Sequence, residues 1–144
     1  MPVIGCVIKS IIAERKKPVE DRLDINSTPN ITSIEEKEIE VVGKQSTLII
    51  GFEFESSYKP DVGSIKLVGE LVYATKDGKE ILKLWKKEEK LPDNVDVEVK
   101  NFLFKKCLTL GINLAEELQL PPPIAFPVIV PNLPKKDNEQ KYIG

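Results

Sequence analysis

The chain has 144 residues, of which 41% are hydrophobic and 31% charged, with a formal net charge of −2. These values fit one globular domain able to bury its own core, and they exclude a global field that would draw the protein to nucleic acid or anionic membranes. Histidine is absent, which removes the commonest general base and metal-binding imidazole; histidine-dependent triads and His-based zinc sites are excluded, and neither an enzymatic activity, a cofactor nor a metal is expected.

Taken in order, residues 3–13 are rich in Val and Ile and predict a first strand, with Gly5 as a bulge or a point of close approach. Lys9 and Ser10 interrupt its apolar run, far short of the roughly 20 residues needed to span a bilayer, and a cytoplasmic protein is expected. Residues 14–30 carry Arg15, Lys16, Lys17, Pro18 and Pro29 and read as a solvated crossing loop. Residues 31–42 are ambiguous: Ile39, Val41 and Val42 suit a strand, whereas 34–39 suit a short helical turn. From residue 46 the signal sharpens, because Leu48, Ile50, Phe52 and Phe54 alternate with Ile49, Gly51, Glu53 and Glu55, giving a strand with one large apolar face.

Residues 58–63 form a turn with proline and glycine where turn chemistry wants them. The strand over 64–74 then places Ile65, Leu67, Leu71 and Tyr73 on one side. Asp77-Gly78 marks a tight hairpin, and 80–87 returns as a strand with Leu82 and Leu84 opposed to Ile81, Lys83 and Trp85. The product is an antiparallel meander, four-stranded once the N-terminal strand joins it.

Residues 92–120 predict one long helix: Pro92 and Asp93 suit its first turn, and Val95, Val99, Leu103, Cys107, Leu110, Leu114 and Leu118 recur three or four apart. Phe102, Phe104, Leu108 and Ile112 widen that stripe until one chain does not account for its cover, which points to a second subunit. Three prolines at 121–123 stop the helix, and 124–134 alternates proline with apolar residues, an extended arm expected to bury Ile124, Phe126, Val128 and Ile129. The arm either seals one end of the core or serves as a flap over an apolar groove. The fold class is α+β: a four-stranded antiparallel sheet packed by one long C-terminal helix and followed by a proline-rich extended arm, a single domain over 1–134 with a flexible polar tail at 135–144.

No glycine-rich phosphate loop is present. Cys6 and Cys107 sit among apolar neighbours, as a disulfide or as two buried thiols. Glu35, Glu36, Glu38 and Glu40, like Glu116 and Glu117, read as solvated acidic surface. Arg15, Lys16 and Lys17, together with Lys83, Lys86, Lys87 and Lys90 around Trp85, form basic patches that support an alternative reading as a small ribosome- or RNA-associated protein.

The order of parts over 3–13, 46–87 and 92–134 resembles the SecB export-chaperone family. It is also similar to an archaeal SecB-like group of small proteins, through Tyr58-Lys59-Pro60-Asp61-Val62-Gly63 and Leu118-Gln119-Leu120-Pro121-Pro122-Pro123. The resemblance implies a non-enzymatic oligomer, a tetramer built as a dimer of dimers, that holds unfolded polypeptides in apolar grooves between sheet and helices. Apolar patterning makes Phe52, Phe54, Trp85 and Phe126 the candidate polypeptide-binding residues.

Overall fold

In the computed structural model, residues 3–19, 22–37, 46–125, 127 and 129–131 are described. Four strands come first, β1 (Val3–Arg15), β2 (Asp24–Lys37), β3 (Ser46–Lys59) and β4 (Gly63–Thr75), followed by two helices, α1 (Gly78–Glu88) and α2 (Asp93–Glu117). The strands form one antiparallel sheet in the order β1-β4-β3-β2. The expected α+β architecture is therefore present, although two of its parts are made from different residues.

The central pair follows the alternation in its sequence. Leu48, Ile50, Phe52 and Phe54 on β3 lie opposite Tyr73, Leu71, Gly69 and Leu67 on β4, and this face is buried. Gly69 is the gap that admits Phe52: a Cβ there would stand 3.0 Å from the ring's Cζ and would collide with the Val7 carbonyl of β1. The far face is mixed: Ile49, Val68 and Val72 alternate there with charged side chains, which form Lys9–Glu70 and Lys66–Glu53 ion pairs at 3.0 and 3.4 Å.

Strand β2 takes up 24–30 of the segment expected as a crossing loop and 31–37 of the ambiguous segment that follows it. Its inward positions are Ile25, Ser27, Pro29 and Ile31, opposite Tyr58, Ser56, Phe54 and Phe52. The Ser27 and Ser56 hydroxyls share a 2.7 Å hydrogen bond, which supplies a partner for the buried Ser56. Pro29 is tolerated because β2 lies at the edge, where among the described residues no further strand needs its missing N–H. A bulge between Ile31 and Ser33 then brings Ile34 into the core opposite Ile50.

The expected third meander strand, 80–87, is instead helical. Ile81, Leu84 and Trp85 are spaced three and four apart, so helix winding gathers them on one face, and Ile81 is fully buried. Asp77 begins a helix here: its carbonyl accepts the Ile81 N–H at 3.0 Å, and its own N–H donates to Thr75 Oγ1 at 3.1 Å. Lys86 and Lys87 in the last turn complement the helix dipole.

Helix α2, about 37 Å long at 1.5 Å per residue, buries Val95, Val99, Leu103, Cys107, Gly111 and Ala115 at every fourth position against the sheet. Phe104 meets Phe54 edge to face, with centroids 5.6 Å apart. The helix is tied at both ends. Near its start the Tyr73 hydroxyl donates to Glu98 Oε1 at 2.7 Å. At its end Gln119 adopts a left-handed conformation, the Leu120 and Gln119 N–H groups return to the Ala115 and Glu116 carbonyls, and Arg15 Nη1 donates to the Leu118 and Gln119 carbonyls at 3.1 Å each. The Tyr58 hydroxyl donates to the Pro121 carbonyl at 2.6 Å, fixing the start of the proline run. The arm beyond it departs from expectation: Ile124 is half-buried but Ile129 is fully exposed, while Phe126, Val128 and the tail from 135 lie outside the described residues.

The buried acids set the pH response. Burial pushes the Cys107 thiol from 9.0 up to about 12, with the neighbouring Cys6 adding to the effect, and burial alone pushes the Tyr58 phenol from 10.0 up to about 12. Tyr73 shifts the same way, through burial and its bond to Glu98. Each folded-state value lies above its ordinary one, so the stabilisation is complete below the ordinary values and is lost as pH rises through the folded ones. The urea midpoint is accordingly expected to fall between about pH 9 and 12; a midpoint that holds or rises over that window contradicts the assignment.

Candidate functional site

Strand β1 occupies one edge of the sheet and is unlike the opposite edge. Bulges between Val3 and Gly5 and between Ile8 and Ser10 shift its side chains relative to β4. In consequence Ile4, Val7, Ile11 and Ile12 stand about half exposed, at 54, 52, 49 and 51%. Val7 and Ile12 lie opposite Glu70 and Lys66 on the far face, whereas Ile11 lies opposite Leu67 on the helix-bearing face and is left uncovered. The outer backbone of β1 has no strand beside it among the described residues. On β2, by contrast, Pro29 and exposed Asp24, Asn26, Asn30 and Glu35 blunt the edge against further pairing.

Beside this edge runs a groove of about 790 Å³ between β1 and α2. Val3 and Ile8 line it from the strand, and Phe102 and Leu110 from the helix. All four are half-buried and pack on the core, which makes the apolar floor part of the folded frame. Glu98, Lys105 and Lys106 stand along the helix side. Glu98 is engaged by Tyr73, whereas Lys105 and Lys106 are exposed, so the rim is weakly electropositive. Cys6 and Cys107 are free thiols; burial above all pushes both thiols up, and they pack against the core. The site offers shape, apolar surface and unpaired main chain, the means of holding an extended segment.

The structure does not bring the four sequence-assigned residues together at this groove. Phe52 and Phe54 are 0 and 1% exposed, sealed between sheet and helix, so they have no surface to offer. Trp85 is half-buried on α1, where it lines a smaller, more polar pocket of about 340 Å³ with Asn30, Asp93 and Asp96. Phe126 lies outside the described residues. The basic trio is partly engaged within the chain, Arg15 at the end of α2 and Lys16 with Asp61 at 3.3 Å, whereas Lys83, Lys86, Lys87 and Lys90 are exposed. Sequence reasoning missed Val3 and Ile8 as site residues; the excess width of the α2 stripe, which includes Phe102 and Leu110, was the signal that could have found the groove.

An antiparallel sheet with one long helix laid across it, and a groove left open along its first strand, makes up the α+β fold of this chain. Among solved structures the chain is similar to the SecB-like chaperone Rv1957 of Mycobacterium tuberculosis, determined in complex with a ChAD peptide from the Rv1956 HigA1 antitoxin. The two share 11% sequence identity with a TM-score of 0.54, over 89% of this chain and 88% of that one. At that identity the likeness establishes the shared fold. The sequence matches no protein-family model and no curated protein. Among the described residues no helix is long and apolar enough to cross a membrane.

Proposed function

We propose that this protein is a non-enzymatic, cytoplasmic, SecB-like chaperone that holds extended or unfolded apolar polypeptide segments. The observation that carries the reading is the bare, aliphatic edge of β1 lying beside the apolar groove it shares with α2. An extended client segment adds to the β1 edge through main-chain hydrogen bonds, which are indifferent to sequence. Its alternate side chains drop toward Ile8, Phe102 and Leu110, where each large aliphatic group buried contributes about 1.5–3 kcal/mol. Selectivity is then loose, as a holding function requires. The peptide-bound state of the structural neighbour supports this reading at the level of ligand class. The same edge, with the half-exposed flanks of α2, favours a homo-oligomer as the working state.

The test is the light scattering of a denatured client with this protein in several-fold excess, run at low and high salt on material whose mass in solution has been measured. Slower aggregation at both salt concentrations, by a dimer or tetramer, is the expected result. Unslowed aggregation ends the chaperone reading. RNA binding that weakens steeply with salt, without client protection, favours the alternative use of the α1 lysines.

A further inference from the structure

The charges of the groove are not spread evenly along it. Strand β1 and helix α2 run side by side in the same direction: Val3 lies opposite Tyr73, whose hydroxyl reaches Glu98, and Arg15 reaches the Leu118 and Gln119 carbonyls. A segment added along β1 therefore meets in turn Glu98, Phe102, the pair Lys105 and Lys106, and Leu110. Glu98 is half-buried and already accepts the Tyr73 hydroxyl at 2.7 Å. Thr109 is spent on its own helix, donating to the Lys105 carbonyl at 2.6 Å. The two lysines differ: both are exposed, and among the described residues neither forms an ion pair. The α2 positions three and four away from them, 101–103 and 108–110, carry no carboxylate, and neither do Val3, Cys6 and Ile8 on the facing side of β1. Burial above all raises the Cys6 and Cys107 thiols, and the Lys106 ammonium works against it at both, so Lys106 stands over the seam between strand and helix.

The spacing suits an extended ligand. Along the helix axis the lysines stand about 5 Å beyond Phe102 and about 7 Å short of Leu110, at 1.5 Å per residue. Alternate residues of an extended chain are about 6.6 Å apart and point the same way. Three alternate side chains thus fall at Phe102, at the lysines and at Leu110. We propose that Lys105 and Lys106 set a charge preference: the groove takes segments in which one aspartate or glutamate stands between two large aliphatic residues at alternate positions, and disfavours lysine or arginine there. The inference rests on the reading that the groove holds extended apolar segments, and it adds a class of client to that loose selectivity. The apolar contacts supply affinity, whereas the lysines supply discrimination between segments of equal hydrophobicity.

The experiment titrates labelled peptides of about twelve residues against the full chain. Each has two leucines four positions apart, with glutamate, glutamine or lysine midway; a further peptide carries the glutamate one position on, where its side chain points away from the helix. In low salt the midway glutamate is expected to bind about three- to tenfold more tightly than glutamine, and lysine more weakly than glutamine, with both differences shrinking as salt rises. The displaced glutamate should bind like glutamine. Lys105→Gln with Lys106→Gln should abolish the preference yet bind the glutamine peptide as the wild type does, whereas Lys83→Gln with Lys86→Gln on α1 should leave the preference intact. Equal binding of the three midway peptides overturns the proposal, as does a glutamate preference that ignores position or survives neutralisation of Lys105 and Lys106. The two readings fail separately: peptides that all bind equally sink the charge preference alone, and failure of every peptide to bind sinks the holding role together with it.

Discussion

Replacing Phe102 by aspartate is expected to remove client protection almost completely while leaving the protein folded. Phe102 supplies the aromatic wall of the groove and is only half-buried, so its loss costs the fold less than the loss of a core side chain. For a bound segment the change is severe. It removes the apolar contact of a large side chain and places a carboxylate that must be desolvated against an aliphatic ligand. Together these amount to about 3 kcal/mol or more, roughly a hundredfold in affinity. Phe102→Leu keeps the surface apolar and should retain most binding. Titration of a labelled unfolded client against the wild type and both variants, with urea midpoints in parallel, decides the matter. Undiminished affinity in the aspartate variant would remove the groove from the mechanism.

Phe52→Ala should behave in the opposite way, with a large effect on stability and none specific to binding. The ring is fully buried, stands over the space left at Gly69 and pairs across the sheet with Ile31. Because Gly69 has no side chain to move inward, the cavity cannot collapse from that side. The expected cost is about 3–5 kcal/mol, a large part of the 5–15 kcal/mol typical of a domain. Urea denaturation measures it; a cost below about 1 kcal/mol would mean that the ring does not fill the core as described. Client affinity per folded molecule should be unaltered, which separates this residue from Phe102.

The contrast between the two phenylalanines shows which parts of the structure the sequence discloses. Alternation on β3 and β4 and the wide stripe of α2 were legible because their apolar residues repeat at the period of their element. Residues 24–37 concealed a strand, since an edge position admits Ser27 and Pro29 on the inward face, where a central strand would carry valine or isoleucine. The α1 segment misled in another way: Asp77-Gly78 begins a helix as readily as it makes a hairpin, and a short run such as Ile81-Leu82-Lys83-Leu84-Trp85 satisfies both periods in part. The site was harder still. Phe52 and Phe54 were recognised as a large apolar face, but whether that face is covered depends on where α2 lands, a tertiary fact with no local signal. Val3 and Ile8 looked like ordinary strand residues until β1 proved to be an edge.

The fastenings of α2 have a mechanical consequence. Tyr73 grips it near one end, while Arg15 and Tyr58 secure the other, so the helix behaves as a beam bolted to the sheet at two points. A beam so mounted does not lift to admit a thicker guest. Under the proposed holding role, variety among occupants therefore falls to the half-buried Phe102 and Leu110 and to the exposed Lys105 and Lys106 beside them, a compliant lining on a fixed slot.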